Sequence, residues 1–150
     1  MSRIKTILVP TDFSDGALHA ARYAMAFAKE LGASVTLLHA WVPPVYPRPP
    51  GAAFAPTQSV VDETEHAVSA DLDRHRQLLA DPAVPLSTKK MLGTDAGTIV
   101  QVAVEGGFDL IIMGTHGRTG WRHLLLGSIA EEVVRTSEVP VLTVREPKKA

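Results

Sequence analysis

The chain has 150 residues, 45% hydrophobic and 21% charged, with a formal net charge of −1 and no cysteine. That is the size and composition of one soluble domain over residues 1–150, large enough for a single core. No segment nears the ~20 continuous apolar residues of a membrane span, and no basic stripe suits nucleic acid. The start, Met1 to Lys5, lacks the apolar run of a signal peptide, and the missing cysteines fit a reducing compartment, so a cytoplasmic protein is expected.

Thr6–Pro10 reads as a short apolar strand. Ser14 is placed to cap a helix in which Leu18, Ala21, Met25, Ala28 and Leu31 recur at helical spacing until Gly32 stops it. Ser34–Trp41 is a second buried strand. Residues 42–57 carry Pro43, Pro44, Pro47, Pro49, Pro50 and Pro56, which forbids helix or central strand. This is read as a proline-rich surface loop rather than a domain boundary. From Ser59 to about Ala80 the stripe Val61, Thr64, Val68, Leu72 and Leu79 predicts a helix. Leu86–Leu92 has one wetter side, as at a sheet edge. Asp95 or Gly97-Thr98 opens a short helix with Ile99, Val102 and Ala103, ended by Gly106-Gly107. Phe108–Met113 is a buried strand, and a glycine-bearing loop leads to a helix from Ser128 to about Ser137. A last strand covers Val141–Arg145.

Short apolar strands alternating with longer helical patterns predict an open α/β fold, a parallel sheet with helices on both faces. Crossovers are right-handed, so covering both faces requires the strand order to reverse somewhere, and ligands bind beyond the carboxyl ends of the strands at that reversal. Two strand ends carry suitable sequence: Pro10-Thr11-Asp12 and Gly114 onward. If those strands are neighbours, both ends line one crevice.

The second of these ends suggests phosphate chemistry. Gly114 closes its strand where a side chain would hold a ribose or phosphate off the backbone. Gly117 is expected to take a turn of positive φ. The amides of Gly127, Ser128 and Ile129 open a helix and are expected to face an anion, with a dipole worth roughly 0.3–1 kcal/mol. The Ser128 hydroxyl is free either to cap the helix or to donate to a phosphate oxygen. Arg118 and Arg122 lie within reach of outer phosphates, or are merely solvated. The pattern is neither a Walker A loop nor the dinucleotide fingerprint.

The spacing Gly114-x2-Gly117-x9-Gly127-Ser128 follows Asp109-Leu-Ile-Ile-Met113 and precedes Ile129-Ala-Glu-Glu-Val-Val and Val139-Pro-Val-Leu-Thr-Val144. Together with Ile7-Leu-Val-Pro-Thr-Asp12 and Val35-Thr-Leu-Leu-His39, it resembles the universal stress protein family over essentially the whole chain. The resemblance implies a Rossmann-like five-stranded parallel sheet in the order 3-2-1-4-5, and the glycine motif of Gly114 to Ser128 is that of the ATP-binding members. Carried over by position, Pro10, Thr11 and Asp12 face the adenosine, and the backbone of Ala40 reads the adenine edge. Met113 and Ile129 flank the base, ribose and phosphates. From its place inside the glycine loop, and not from the resemblance, His116 is a candidate phosphate neighbour, as is Arg118. Asp12 suits ribose hydroxyls or the magnesium of Mg-ATP, with a plain helix-capping role as the alternative. Members commonly dimerise by pairing their last strands, so a homodimer through 141–145 is implied. Gly120 and the proline-rich segment depart from the family pattern.

Other chemistries fit less well. His66 and His75 do not share a helix face, and His116 and His123 flank the loop without carboxylates at ligand spacing, so no dedicated metal site is expected. His39 reads as a hydrogen-bonded core histidine, and Trp41 as packing near the pocket mouth. Ser128 lacks a nucleophile elbow, and a flavin phosphate loop would follow the first strand. Two functions remain: a nucleotide-dependent regulatory module in stress response, or a slow ATPase or self-phosphorylating enzyme using Asp12, Ser128 and Arg118.

Overall fold

The computed structural model describes residues 3–45, 50–51, 55–93, 96–117 and 126–147. Among them five strands alternate with four helices: β1 (Thr6–Pro10), α1 (Asp15–Leu31), β2 (Ser34–Trp41), α2 (Gln58–Leu79), β3 (Leu86–Leu92), α3 (Ala96–Glu105), β4 (Leu110–Gly114), α4 (Ser128–Thr136) and β5 (Val141–Val144). The strands form one sheet in the order β3-β2-β1-β4-β5, each adjacent pair parallel. The order expected from the resemblance is therefore observed, with the reversal between β1 and β4.

Side-chain alternation explains why both faces are covered. Ile7 and Val9 of β1, Val35 and Leu37 of β2, and Leu110 and Ile112 of β4 pack beneath α1 and α2. Their neighbours Leu8, Leu38, Ile111 and Met113 pack on the other face with Ile99, Val102 and Ala103 of α3 and Ala130 and Val133 of α4. The cores of the central strands, Ile7–Val9 and Leu110–Met113, are apolar at every position because neither face meets water.

Local signals set the ends of the elements. Ser14 accepts the Ala17 amide to cap α1, and Gly32, at φ 65°, closes it in the left-handed region. Thr57 caps α2. β4 begins at Leu110 rather than Phe108, because Phe108 N–H still bonds Ala103 O and Gly107, at φ 65°, closes α3. β5 stops at Val144, where its register with Gly114 runs out. At the end of the sheet away from the glycine motif, Asp109 Oδ2 accepts from Lys5 N (2.8 Å), Thr6 N (3.0 Å) and Thr6 Oγ1 (3.1 Å), stapling β1 to β4. Of the proline-rich loop, 46–49 and 52–54 lie outside the described residues, and Val42 and Val45 on its near side are exposed. Trp41, expected near the pocket mouth, is 9% exposed and belongs to the core beneath α1 and α2.

Candidate functional site

A cavity of about 270 Å³ opens at the carboxyl ends of β1, β2 and β4, at the reversal of strand order. Pro10, Thr11 and Asp12 line it from β1, Ala40 from β2, and Met113, Gly114, His116 and Gly117 from β4 and beyond. Gly127, Ser128 and Ile129 line it from the start of α4. Of the residues singled out in the sequence, Arg118 lies outside the described residues, as do Gly120, Arg122 and His123. The cavity also takes Ala17, Leu38, His39, Ile99, Thr115 and Ala130, which sequence reasoning had not assigned to a site. For Ile99 and Ala130 the sequence carries only the apolar spacing of a helix, which also describes core. His39 and Leu38 adjoin Ala40, and that adjacency was the available signal.

The turn after β1 is fixed by its own side chains. Thr11 N–H makes the last bond to β2, to Leu38 O at 2.8 Å. Thr11 Oγ1 then accepts the Phe13 amide (3.1 Å), Asp12 Oδ1 the Ser14 amide (3.0 Å), and Ser14 Oγ the Ala17 amide (3.2 Å). The capping geometry foreseen for Asp12 is thus present, while Asp12 also lines the cavity. The amides of Phe13, Ser14 and Ala17 are thus taken up within the turn itself.

Beyond Leu38, β2 outruns β1, and strand alternation decides what it presents. Leu38 O points to β1, since it meets Thr11 N; Trp41 O points to β3, since it meets Gly93 N. Two residues on from Leu38, the N–H and C=O of Ala40 therefore both face the side that β1 has vacated. Ala40 offers the cavity one donor and one acceptor side by side.

The glycines act differently from expectation. Gly117 is not among the described residues of positive φ. Its hydrogen is needed because a Cβ would lie 2.5 Å from Asp12 Oδ2. A Cβ on Gly114 would face α1, 3.1 Å from Gly16 O, so this glycine lets α1 approach the end of β4 rather than clearing space for a ligand. Gly127 N–H is spent on Thr115 O at 2.6 Å, so it does not face an anion as expected. The following amides differ. Gly127 takes the N-cap position of α4 without any side-chain cap, and the Ser128 hydroxyl does not fill the role. α1 and α2 are both capped by the side chain of their N-cap residue, whereas among the described residues no side chain caps α4 where it opens onto the cavity.

The wall made by Leu38, Ile99, Met113 and Ala130 is apolar. Asp12, His39 and His116 supply its titratable groups; among the described lining residues there is no Lys or Arg. His116 Nδ1 lies 3.0 Å from Thr115 Oγ1. Among the described residues no three His, Asp or Glu side chains converge as metal ligands would, and no helix is long and apolar enough to cross a membrane.

A doubly wound parallel sheet in the order β3-β2-β1-β4-β5, with a half-apolar crevice at its switch point, defines an open α/β protein of the Rossmann-like class. More narrowly, the chain belongs to the universal stress protein family, whose sequence model matches residues 3–145. Universal stress protein MJ0531 of Methanocaldococcus jannaschii is 35% identical over 146 residues, 97% of this chain and 84% of that protein. The structure of MJ0577 from the same organism superposes with a TM-score of 0.78 at 26% identity, covering 99% of this chain and all (100%) of that one. A universal stress protein solved in complex with cAMP superposes at 0.71 with 25% identity, covering 96% and 98%.

Proposed function

We propose that the crevice binds an adenine nucleotide, ATP with magnesium, and that the chain serves as a nucleotide-dependent regulatory module of the cytoplasmic stress response. The observation that carries this reading is the pairing of Ala40, with its adjacent donor and acceptor, and the bare start of α4 across one cavity. Adenine carries an acceptor at N1 beside a donor at N6, which matches the N–H and C=O of one extended residue. The apolar wall suits the faces of the base. The amides of Ser128 and Ile129, with the helix dipole behind them, suit phosphate oxygens. Asp12 is the carboxylate at hand for ribose hydroxyls or for a magnesium arriving with the phosphates. A structural relative solved with cAMP supports the choice of an adenine nucleotide.

Binding is favoured over turnover. Phosphoryl transfer needs a cation and a group that orients the nucleophile. One oxygen of Asp12 is held by the Ser14 amide, and no Lys or Arg stands among the described lining residues. The test is calorimetry and thermal melting of nucleotide-stripped protein with Mg-ATP, adenosine and Mg-ITP. At about a hundred times the dissociation constant, ATP should add roughly 2.7 kcal/mol, a rise in Tm of roughly 5–10 °C. ITP, with an acceptor at position 6, should bind at least about tenfold more weakly, because it faces the Ala40 carbonyl without a donor. No shift with any adenine nucleotide would defeat the proposal. Steady phosphate release that collapses in Asp12→Ala with affinity intact would put the ATPase reading ahead.

A further inference from the structure

We infer that His39 is a positioning residue for this site: it ties the end of β2 that carries Ala40 to the turn that carries Asp12. The inference rests on the adenine-nucleotide reading above. The β1–β2 ladder ends with Thr11 N–H to Leu38 O, after which the strands must part to leave a crevice. Past that point a side chain holds the two together. His39 Nδ1 lies 2.7 Å from Thr11 O. A carbonyl only accepts, so Nδ1 carries the proton and the tautomer is fixed.

The same imidazole packs on Phe13, ring centroids 4.4 Å apart. Phe13 has φ 64°, a conformation that a bulky side chain rarely adopts and that persists only where surroundings enforce it. Three contacts do so. Thr11 Oγ1 takes its amide, His39 lies against its ring, and His75 of α2 lies against it at 5.0 Å. His75 is itself anchored, with Nδ1 2.9 Å from Asp71 O. Asp12 is thus bracketed by two residues that His39 touches, Thr11 through a hydrogen bond and Phe13 through its ring. Holding both neighbours fixes the direction of the Asp12 carboxylate relative to Ala40, the residue that follows His39.

Two variants separate positioning from mere stabilisation. His39→Asn keeps a side-chain N–H near the place of Nδ1, and His39→Phe keeps a ring for Phe13 without a donor. Affinity for Mg-ATP and for adenosine is measured by calorimetry, with the melting temperature of the nucleotide-free proteins and amide hydrogen exchange at Phe13 and Ser14. The expected result is that His39→Phe melts near the parent, exchanges faster at those amides, and binds both ligands about five- to tenfold more weakly, the worth of one hydrogen bond. His39→Asn should recover parental affinity within about twofold. Equal weakening in both variants would make His39 a direct ligand contact and overturn the inference, as would parental affinity and exchange in His39→Phe. A parent that binds no adenine nucleotide sinks the nucleotide reading instead, and unchanged exchange in His39→Phe then sinks the tie as well.

Discussion

Gly117 and Asp12 meet across the mouth of the crevice so closely that a Cβ on the glycine would stand 2.5 Å from Asp12 Oδ2. The glycine comes from the loop after β4 and the aspartate from the turn after β1, the two strands between which the sheet reverses. Room for Asp12, rather than an unusual torsion, is what this position requires. The obstructed atom is at the far end of a side chain rather than in the backbone, so the Asp12 carboxylate can shift to make room. Gly117→Ala is therefore expected to melt within about 2–3 °C of the parent, while Mg-ATP binds roughly tenfold more weakly because Asp12 has been displaced. Calorimetry beside a melt reads both numbers. Parental affinity in the variant would show that the direction of Asp12 does not matter.

Gly127 makes the opposite case. Its added Cβ would meet Thr115 O at 2.9 Å and His116 Cα at 3.4 Å, both backbone, across a hydrogen bond already 2.6 Å long. Nothing there can rotate away. Gly127→Ala is expected to cost about 1–3 kcal/mol, the usual penalty of overpacking, or a fall in Tm of roughly 3–10 °C. Two alanines in one glycine motif should thus separate, one lowering affinity and the other stability. Equal melting temperatures for the two would contradict the distinction.

The bare start of α4 predicts effects of opposite sign from one substitution. Ser128 is exposed in the first turn, and the N-cap residue Gly127 has no side chain with which to cap the helix. A carboxylate there meets the positive end of the helix dipole and should stabilise the nucleotide-free protein by about 0.3–1 kcal/mol. It also takes the place offered to phosphate. Ser128→Asp should therefore melt no lower than the parent yet bind ATP at least about tenfold more weakly, through like-charge repulsion at close range. Adenosine, which has no phosphate, should bind within about twofold of the parent. Equal loss of ATP and adenosine would place the phosphates elsewhere.

How much of this was legible in the sequence depends on which atoms a conclusion concerns. Strand and helix positions follow from apolar spacing and punctuation, and Ser14 and Gly32 end α1 as their chemistry dictates. Right-handed crossovers and the switch-point rule made Pro10–Asp12 and Gly114–Gly117 converge only if their strands were neighbours, and that order came from the family resemblance. The reasons for the glycines did not follow. Sequence marks where a side chain is missing; what it would strike is set by packing between residues distant in the chain, as with Gly114 against Gly16. His39 was legible as a hydrogen-bonded residue of a buried strand. Its partner, Thr11 O, and the left-handed Phe13 beside it belong to the tertiary structure alone.

Acid stability should depend on Asp109. Hydrogen bonds from the Lys5 and Thr6 amides, with a smaller contribution from the Thr6 hydroxyl, hold its carboxyl below the ordinary value of 3.8. A depressed folded-state pKa contributes stability that is fully present above the unfolded value and is lost as pH falls through the folded one. Asp81, lowered by the Ala83 amide and Lys29, works in the same direction. Asp109→Asn should melt lower than the parent at neutral pH, and the gap should narrow as pH drops below about 4. Melts across that range check it. A constant gap would mean that the ionised form of Asp109 contributes nothing beyond its neutral isostere.

The two sheet edges differ in a way that bears on self-association. β3 carries exposed Lys89 and Lys90, the latter paired to Glu65 at 2.7 Å, and charge of this kind guards an edge against pairing. β5 reads Val141-Leu-Thr-Val144 with no charge, and fits the homodimer that the family resemblance implies. Alternation identifies the exposed amides. Pro140 O accepts from Ile111 N–H of β4 and Val144 O from Thr115 N–H just beyond it, so the backbone of Leu142 also points inward and that of Val141 and Thr143 points outward. On the opposite edge Pro85 O and Gly93 N–H bond β2, which leaves Thr88 facing outward in the same sense. Proline at either position removes an edge amide without cutting the sheet's own ladder. Sedimentation should show a dimeric parent, a monomeric Thr143→Pro and a dimeric Thr88→Pro, each keeping its nucleotide site. Dimers in all three proteins would move the interface away from β5, and a monomeric parent would remove it.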